Sequence, residues 1–283
     1  MKIGITGASG RLGGEVWARL RVSAANHALI GLGRKPAASS PATNWRRMDY
    51  DRPETLGAAF AGLDRLLLVP TPDLQPGALG RQLCAAIDAA ADAGVGHVYL
   101  LSALHAAGTA HASDLTRGYT LAEQRLSERC AHATVFRTSF YVETFAAMAK
   151  MSIPHGTMFG LAENKVSFIS RGDVARSLAG ALHADSLPRR HYDLTGPVSV
   201  SGAERAGLVA ELSGRPMAFA VMSKPQLRDA LSRASLPDFI VESLVAMQET
   251  FAQGAFDLVT EDVLALTGHA PKPMKAALAE AMQ

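Results

Sequence analysis

The amino terminus contains the stretch that decides the fold, which reads Met1-Lys2-Ile3-Gly4-Ile5-Thr6-Gly7-Ala8-Ser9-Gly10-Arg11-Leu12-Gly13-Gly14. Residues 2–6 are strand-like, and a helical pattern begins near Leu12. Between them Gly7, Gly10 and Gly13 recur at intervals of three. Glycine permits a tight turn and leaves backbone N–H groups at a helix start open to an anion. A strand, such a turn and a helix predict a phosphate-binding turn for a dinucleotide, with an ordinary structural turn as the alternative.

Beyond this turn, short apolar runs alternate with longer helical patterns. The strand-like runs cover residues 27–32, 45–48, 66–69, 98–101 and 134–136. Strands that are apolar on both faces and separated by helices form a parallel sheet covered on both sides. The sequence therefore predicts an α/β fold with a doubly wound parallel sheet, which is a Rossmann fold.

After about residue 138 the alternation loosens. Further strands are predicted at 166–169, 191–194 and 217–221, and capping boxes predict helices that begin after Ser201 and Ser223. Asp51 is predicted to cap an earlier helix. We expect residues 1–150 to form a dinucleotide-binding Rossmann domain. Residues 151–283 are expected to form a smaller, mostly helical substrate-side lobe, interleaved with the last strands of the main sheet.

Composition excludes several classes of protein. Of 283 residues, 48% are hydrophobic and 19% charged, and 28 Lys+Arg nearly balance 26 Asp+Glu. No Lys/Arg run suggests nucleic-acid binding, and no apolar stretch reaches the ~20 residues of a membrane span. The chain opens on a strand and has only two cysteines, Cys84 and Cys130. We therefore expect no signal peptide, a cytoplasmic protein and reduced thiols. We single out no metal-binding residues.

The end of the second predicted strand indicates which dinucleotide binds. An acidic residue there would hold an unphosphorylated ribose, but the sequence has Arg34 and Lys35. A guanidinium can bind a 2′-phosphate through two parallel hydrogen bonds, so the predicted cofactor is NADP(H). Arg11 is a candidate for the same phosphate. Asp49 is either an adenine contact or a turn residue, and a solvated loop is the alternative for the two cations.

These residues, with others along nearly the whole chain, resemble the atypical short-chain dehydrogenase/reductases, specifically the NmrA-like group. Within it the chain is most similar to type-2 NADPH:quinone oxidoreductases, with triphenylmethane dye reductases nearby. Besides the glycine-rich turn, the resemblance is carried by Leu66-Leu67-Leu68, Ser102-Ala103-Leu104-His105, Phe136-Arg137-Thr138-Ser139-Phe140-Tyr141-Val142-Glu143, Ser170-Arg171-Gly172-Asp173-Val174-Ala175 and Leu266-Thr267-Gly268-His269-Ala270-Pro271.

The resemblance implies an NADPH-dependent reductase that acts on a flat, conjugated acceptor. The candidate cofactor contacts argued above are those of the glycine-rich turn (Gly7, Ser9, Gly10, Arg11, Leu12 and Gly13) and those after the second and third strands (Arg34, Lys35 and Asp49). To these the resemblance adds Val69, Pro70, Thr71, Thr138, Ser139, Phe140, Tyr141 and Arg171. The nicotinamide end would lie against residues 138–141, and Arg171 would approach the cofactor from the second lobe. Pro70 and Pro72 stand where the family often has Ser or Thr, which stiffens this loop.

Three residues are candidates for chemistry. Conventional short-chain dehydrogenases use Tyr-x-x-x-Lys, in which the lysine lowers the tyrosine pKa, but here Tyr119 is followed at that spacing by Glu123. We expect the carboxylate to shift the tyrosine pKa the wrong way, so Tyr119 is either a hydrogen-bond donor or a packing residue. Ser102 is a candidate contact to nicotinamide or substrate, or else a turn serine. His105 is a candidate donor to an acceptor oxygen, or else a surface histidine.

A weak proton donor favours an acceptor that delocalises the charge of the incoming hydride, such as a quinone. The leading hypothesis is therefore an NADPH-dependent quinone reductase. The alternatives are a non-catalytic NADP(H) sensor and a reductase of dyes, imines or enones. A homodimer is possible.

Overall fold

The computed structural model describes residues 1–23, 27–36, 44–71, 73–104, 113–233 and 236–283. Its strands are β1 (Lys2–Thr6), β2 (Ala28–Gly33), β3 (Trp45–Arg47), β4 (Arg65–Leu68), β5 (His97–Ala103), β6 (Ala133–Thr138), β7 (Thr157–Gly160), β8 (His191–Leu194) and β9 (Ala218–Val221). Its α-helices are α1 (Arg11–Ser23), α2 (Leu56–Phe60), α3 (Ala78–Asp92), α4 (Asp114–Arg129), α5 (Val142–Ser152), α6 (Arg171–His183), α7 (Gly202–Ser213), α8 (Lys224–Ser232), α9 (Asp238–Ala252), α10 (Asp262–Thr267) and α11 (Met274–Met282).

Seven strands form one sheet in the order β3-β2-β1-β4-β5-β6-β8. The register is parallel from β3 across to β5, so the connecting segments cross over, mostly as helices. The order reverses at β1, and in such sheets ligands bind beside this reversal at the carboxyl ends of the strands. The doubly wound parallel sheet predicted from the sequence is confirmed.

The central strands are apolar because both of their faces are buried. Every residue of β4 is buried, and β4 lies between β1 and β5. Its side chains join a core cluster whose larger members are Leu32, Phe60, Leu66, Leu68, Leu83, Ile87, Val98, Leu100 and Leu126. Burial of this apolar surface fixes the sheet and thereby the strand ends.

Most predicted elements are present, with three differences. Residues 166–169 are buried in the core, and within the described part of the chain they form isolated bridges, Val166 to Val200 and Ile169 to Tyr141, and no continuous strand. Strand β7 was not predicted; it pairs in parallel with β9 in a separate two-stranded sheet. Asp51 does not cap a helix. The chain there forms a short 3₁₀ helix, Pro53–Thr55, whose N-cap is Arg52 without a side-chain hydrogen bond, and Asp51 Oδ1 accepts a hydrogen bond from Gln82.

The capping boxes at Ser201 and Ser223 are confirmed, since each serine accepts from the backbone N–H three residues on. Both cysteine thiols are free. Within the described residues, no helix has the length and apolar character needed to cross a membrane.

By internal contacts the chain forms two compact units. The first comprises Met1–Gly108, Leu115–Arg137 and Val174–Asp193, and the second comprises Thr109–Asp114, Thr138–Asp173 and Leu194–Gln283. In the second unit α5 packs against α11, and α8 against α9. The predicted division at residue 150 into cofactor-binding and substrate-side parts concerns function and stays a prediction.

Candidate active site

The glycine-rich turn lies between β1 and α1, as predicted. Gly7 has φ of 61°, a left-handed conformation that glycine adopts without strain. The Gly7 N–H donates to the Leu32 carbonyl (2.9 Å), which joins the turn to β2, and the Gly10 N–H donates to the Gly7 carbonyl (2.8 Å). A β-carbon added to Gly7 would lie 4.0 Å from Cβ of Val69, so the turn also adjoins the end of β4.

The start of α1 lies so close to this turn that no side chain fits between them. A β-carbon on Gly13 would lie 2.3 Å from the Gly7 carbonyl oxygen, and one on Gly10 would lie 3.1 Å from it. The first N–H groups of a helix have no partner within the helix and lie at the positive end of its dipole. The turn therefore fits a pyrophosphate, which these N–H groups can bind.

Around the turn, Leu12 is buried, whereas Ser9 and Arg11 are exposed. Leu12 can therefore contribute only its backbone, while the other two side chains can reach a ligand. At the end of β2, Arg34 and Lys35 are exposed, and within the described ranges neither forms an ion pair. The predicted cationic end of this strand is therefore open to an anionic ligand.

Asp49 forms a turn after β3. Its Oδ1 accepts from the Asp51 N–H (3.2 Å), and its carbonyl accepts from the Arg52 N–H (3.0 Å). This is an Asx turn, so one of the two predicted alternatives for Asp49 is present. An adenine contact stays a prediction.

The end of β4 is positioned by hydrogen bonds from Tyr50 and Thr6. The buried Tyr50 hydroxyl contacts Thr6 Oγ1 (2.9 Å) and donates to the Val69 carbonyl (3.0 Å). The Val69 N–H donates to Thr6 Oγ1 (2.7 Å). Burial raises the pKa of Tyr50 and keeps its hydroxyl protonated as a donor.

Gln82 of α3 holds the next part of this loop. Its Oε1 accepts from the Thr71 hydroxyl, and its Nε2 donates to Asp51 Oδ1 (2.9 Å) and Asp73 Oδ2 (3.3 Å). Gln82 is buried, whereas Val69, Pro70 and Thr71 are half-buried. The loop that contains Val69, Pro70 and Thr71, which is predicted to contact the cofactor, is thus held in place by the side-chain amide of Gln82. A glutamine in an alanine-rich helix is the signal that would have identified it.

Ser102 lies near the end of β5 and takes part in a polar chain. Its hydroxyl donates to Glu123 Oε1 (2.6 Å), and Arg137 binds both oxygens of that carboxylate, with Nη2 2.5 Å from Oε2. The exposed fractions of the two charged side chains are only 11% for Glu123 and 21% for Arg137, so water screens this pair weakly. Hydrogen bonding to Glu123 raises the pKa of Arg137 further. The Ser102 proton is therefore engaged by a carboxylate, while the oxygen keeps accepting capacity.

Glu123 does not act on Tyr119 in the way the sequence analysis expected. The pKa of Tyr119 is raised to about 12, as expected in direction, but the cause is burial and not the carboxylate. The tyrosine ring packs against the core cluster beside α3. Of the two alternatives for Tyr119, packing is therefore present.

The predicted residues at the end of β6 belong to the second unit. Thr138 and Ser139 are buried; the Ser139 N–H donates to the Leu194 carbonyl (2.9 Å), and its Oγ accepts from Ser167 (3.2 Å). Phe140 is half-buried and makes edge-to-face contacts with three aromatic rings, those of Phe168, Phe251 and Phe256. Phe140, within the segment 138–141, thus forms part of a cluster of aromatic rings.

Tyr141 and Arg171 lie together in the second unit. The Arg171 guanidinium carbon is 5.9 Å from the centre of the Tyr141 ring, which is within cation–π range. The backbone N–H of Arg171 also donates to Glu143 Oε1 (2.9 Å). His105 lies outside the described residues, so its predicted role stays a prediction.

Comparison with known proteins gives the class that this arrangement defines. A family model described as NAD(P)H-binding matches residues 7–185, and the chain belongs to this family. It is 25% identical to quinone oxidoreductase 2 of Escherichia coli over 272 residues, which cover 94% of each chain. It is 30% identical to NAD(P)H azoreductase of Xenophilus azovorans over 207 residues, covering 72% of this chain and 69% of that one.

A solved structure agrees with these relatives. Triphenylmethane reductase of Citrobacter sp., complexed with NADP(H), superposes with a TM-score of 0.88 at 25% identity and covers 99% of each chain. The resemblance to quinone and dye reductases inferred from the sequence is confirmed. The protein is an NAD(P)H-dependent oxidoreductase by class.

Proposed function

We propose that the protein is an NADPH-dependent reductase of quinones or similar flat, conjugated acceptors. Bound NADPH would supply the hydride. The turn at Gly7, Gly10 and Gly13 would bind the pyrophosphate, with Arg34 and Lys35 at the 2′-phosphate. The close fit of α1 to the turn and the open cations at the end of β2 support this assignment.

One observation carries the choice of acceptor, namely the hydrogen bonding of Glu123 to both Ser102 and Arg137. Glu123 takes the position at which a lysine would lower the pKa of Tyr119, and the serine proton is held by the carboxylate. Reduction of a simple ketone needs a positioned general acid that protonates the alkoxide as it forms. Neither Ser102, whose proton Glu123 holds, nor Tyr119, which packs against the core, is suited to that task. A quinone delocalises the charge, so a solvent proton completes the hydroquinone after hydride arrives.

The other predicted contacts receive roles consistent with this chemistry. Val69, Pro70 and Thr71 would follow the cofactor between its pyrophosphate and nicotinamide. Residues 138–141 would lie at the nicotinamide end, where Phe140 and Tyr141 would form walls for flat reactants. The Ser102 oxygen would accept from the nicotinamide amide or the substrate, Arg171 would approach the cofactor, and His105 would donate to an acceptor oxygen.

The test mixes the purified protein with NADPH and simple quinones and follows the absorbance of the reduced nicotinamide. We expect NADPH to be consumed with one hydroquinone formed for each. The control replaces the quinone with a simple aliphatic ketone, for which we expect little turnover. Equal rates with both acceptors would contradict the proposed chemistry.

A second candidate substrate class is the dyes, because one relative is named an azoreductase and one structural neighbour a triphenylmethane reductase. The same assay with azo and triphenylmethane dyes, imines and enones separates this class from quinones. A non-catalytic sensor would instead bind NADPH and NADP⁺ with different affinities and turn over none of these acceptors.

A further inference from the structure

A third cation stands beside the strand end that carries Arg34. Strand β3 pairs in parallel with β2, which places Trp45 opposite Gly31 and Arg47 opposite Gly33. Side chains alternate along a strand, so Trp45 and Arg47 share one face of the sheet with the two glycines. The indole confirms this face: its ring carbons lie 2.4 and 2.6 Å from where a Gly31 β-carbon would stand.

This face is the one on which the glycine-rich turn lies. A β-carbon on Gly31 would lie 3.5 Å from Cβ of Ala8, and one on Gly33 would lie 3.9 Å from Oγ of Ser9. Trp45 Nε1 donates to the Gly33 carbonyl (3.3 Å), which joins the first residue of β3 to the last residue of β2. The backbone of Arg47 therefore lies one strand spacing, about 4.8 Å, from that of Gly33, the residue that precedes Arg34.

The charge of Arg47 is available, in contrast to that of its neighbour Arg46. Arg46 donates through Nη1 to the carbonyls of Ala59 (2.9 Å) and Ala61 (2.7 Å), which is a structural role. Arg47 is exposed and forms no ion pair with any residue in the described part of the chain. An exposed guanidinium beside Gly33, on the face of Ser9, is open to a ligand.

We infer that Arg47 is a further guanidinium for the 2′-phosphate, beside Arg34 and the candidate Arg11, and helps to determine the preference for NADPH over NADH. This inference rests on the proposed function. A phosphate monoester carries nearly two negative charges on three terminal oxygens, and one guanidinium binds two of them. Arg34 from β2 and Arg47 from β3 would therefore bind the group from two sides.

The test measures dissociation constants for NADPH and NADH with the wild type, Arg47→Gln, Arg34→Gln and the double variant. We expect Arg47→Gln to raise the dissociation constant of NADPH about tenfold and to change that of NADH by less than about twofold, because only NADPH has the 2′-phosphate. Arg47→Lys should recover part of the loss. The matched control is Arg21→Gln, which removes an exposed cation from the last turn of α1.

The outcomes separate this inference from the function on which it rests. A wild type that binds NADPH and NADH equally would overturn the proposed preference itself. A preference that is lost in Arg34→Gln but kept in Arg47→Gln would overturn the role of Arg47 alone. In the double variant, a smaller loss than the product of the two single losses is expected, since both arginines bind one group.

Discussion

Arg34 is the residue on which the choice of cofactor most directly depends. Arg34→Glu places a carboxylate where the 2′-phosphate would bind, so repulsion replaces a charge-assisted hydrogen bond. We expect the kcat/KM ratio of NADPH to NADH to fall by at least about a hundredfold, or ~2.7 kcal/mol. Steady-state kinetics with both cofactors measures the ratio. Arg21→Glu makes the same charge change at an exposed site on α1 and should leave the ratio unchanged.

Tyr119 is the residue on which the acid–base question depends. Its hydroxyl stays protonated because burial raises its pKa to about 12, and its ring packs against the core. Tyr119→Phe should therefore lower kcat with a quinone by less than about tenfold, well below the ~10²–10⁴-fold loss typical of a proton-transfer group. A loss in that larger range, with an unchanged melting temperature, would restore a catalytic role for this tyrosine.

At the scale of elements, the pairing of β4 with β5 places Arg65 opposite His97. Burial, followed by the positive charge of Arg65, lowers the pKa of His97 from 6.5 to about 4. Between these values the unfolded chain binds more protons than the folded protein. The contribution of neutral His97 to the free energy of unfolding is therefore full above about pH 6.5 and falls as the pH drops toward 4.

Thermal unfolding from about pH 7 to about pH 4 measures this effect. His97 also contacts Thr134 Oγ1 (2.9 Å), a contact that glutamine can replace. His97→Gln should flatten the fall in melting temperature between pH 6.5 and 4. Parallel curves for the variant and the wild type would show that other groups cause the acid sensitivity.

The contact between α1 and the glycine-rich turn gives a second prediction at this scale. Gly13→Ala places a methyl group 2.3 Å from a backbone oxygen, so helix and turn must separate. We expect a loss of ~1–3 kcal/mol in stability and at least about tenfold weaker NADPH binding, measured by unfolding and titration. Gly207→Ala in α7 is the matched control, because nothing lies within 4 Å of its added methyl. That change should stabilise slightly; equal effects of both would contradict the prediction.

The elements that the sequence predicted correctly are those with a local signal. Ser201 and Ser223 were identified as caps because both partners lie within three residues. The contacts of Gln82, and the role proposed for Arg47, were not predicted because each depends on a neighbour brought near by the sheet or by a helix packed on it. Glu123 is the same case: its spacing from Tyr119 was visible, but its partner Arg137 comes from a later strand.

At the scale of the whole molecule, the doubly wound parallel sheet was predictable because apolar runs and crossovers permit few arrangements. Strand β7 was not, since its four residues find their strand partner, among the described residues, in the distant β9. A homodimer stays a prediction, which the molar mass in solution tests.

Cofactor binding to the intact protein should appear as stability. A ligand that binds only the folded state adds RT ln(1 + [L]/Kd) to the free energy of unfolding, which is ~2.7 kcal/mol at about a hundred times Kd. At about 2.1 cal/mol/K of unfolding entropy per residue, a protein of this size gains roughly 4–5 °C in melting temperature from that free energy. NADPH should therefore raise it by several degrees more than NADH at the same concentration, because only NADPH engages the cations at the end of β2.

Arg34→Glu should remove this difference between the two cofactors while keeping the smaller rise in melting temperature that the glycine-rich turn gives with either cofactor. Equal shifts with both cofactors in the wild type would mean that the exposed cations beside Gly33 do not bind the phosphate.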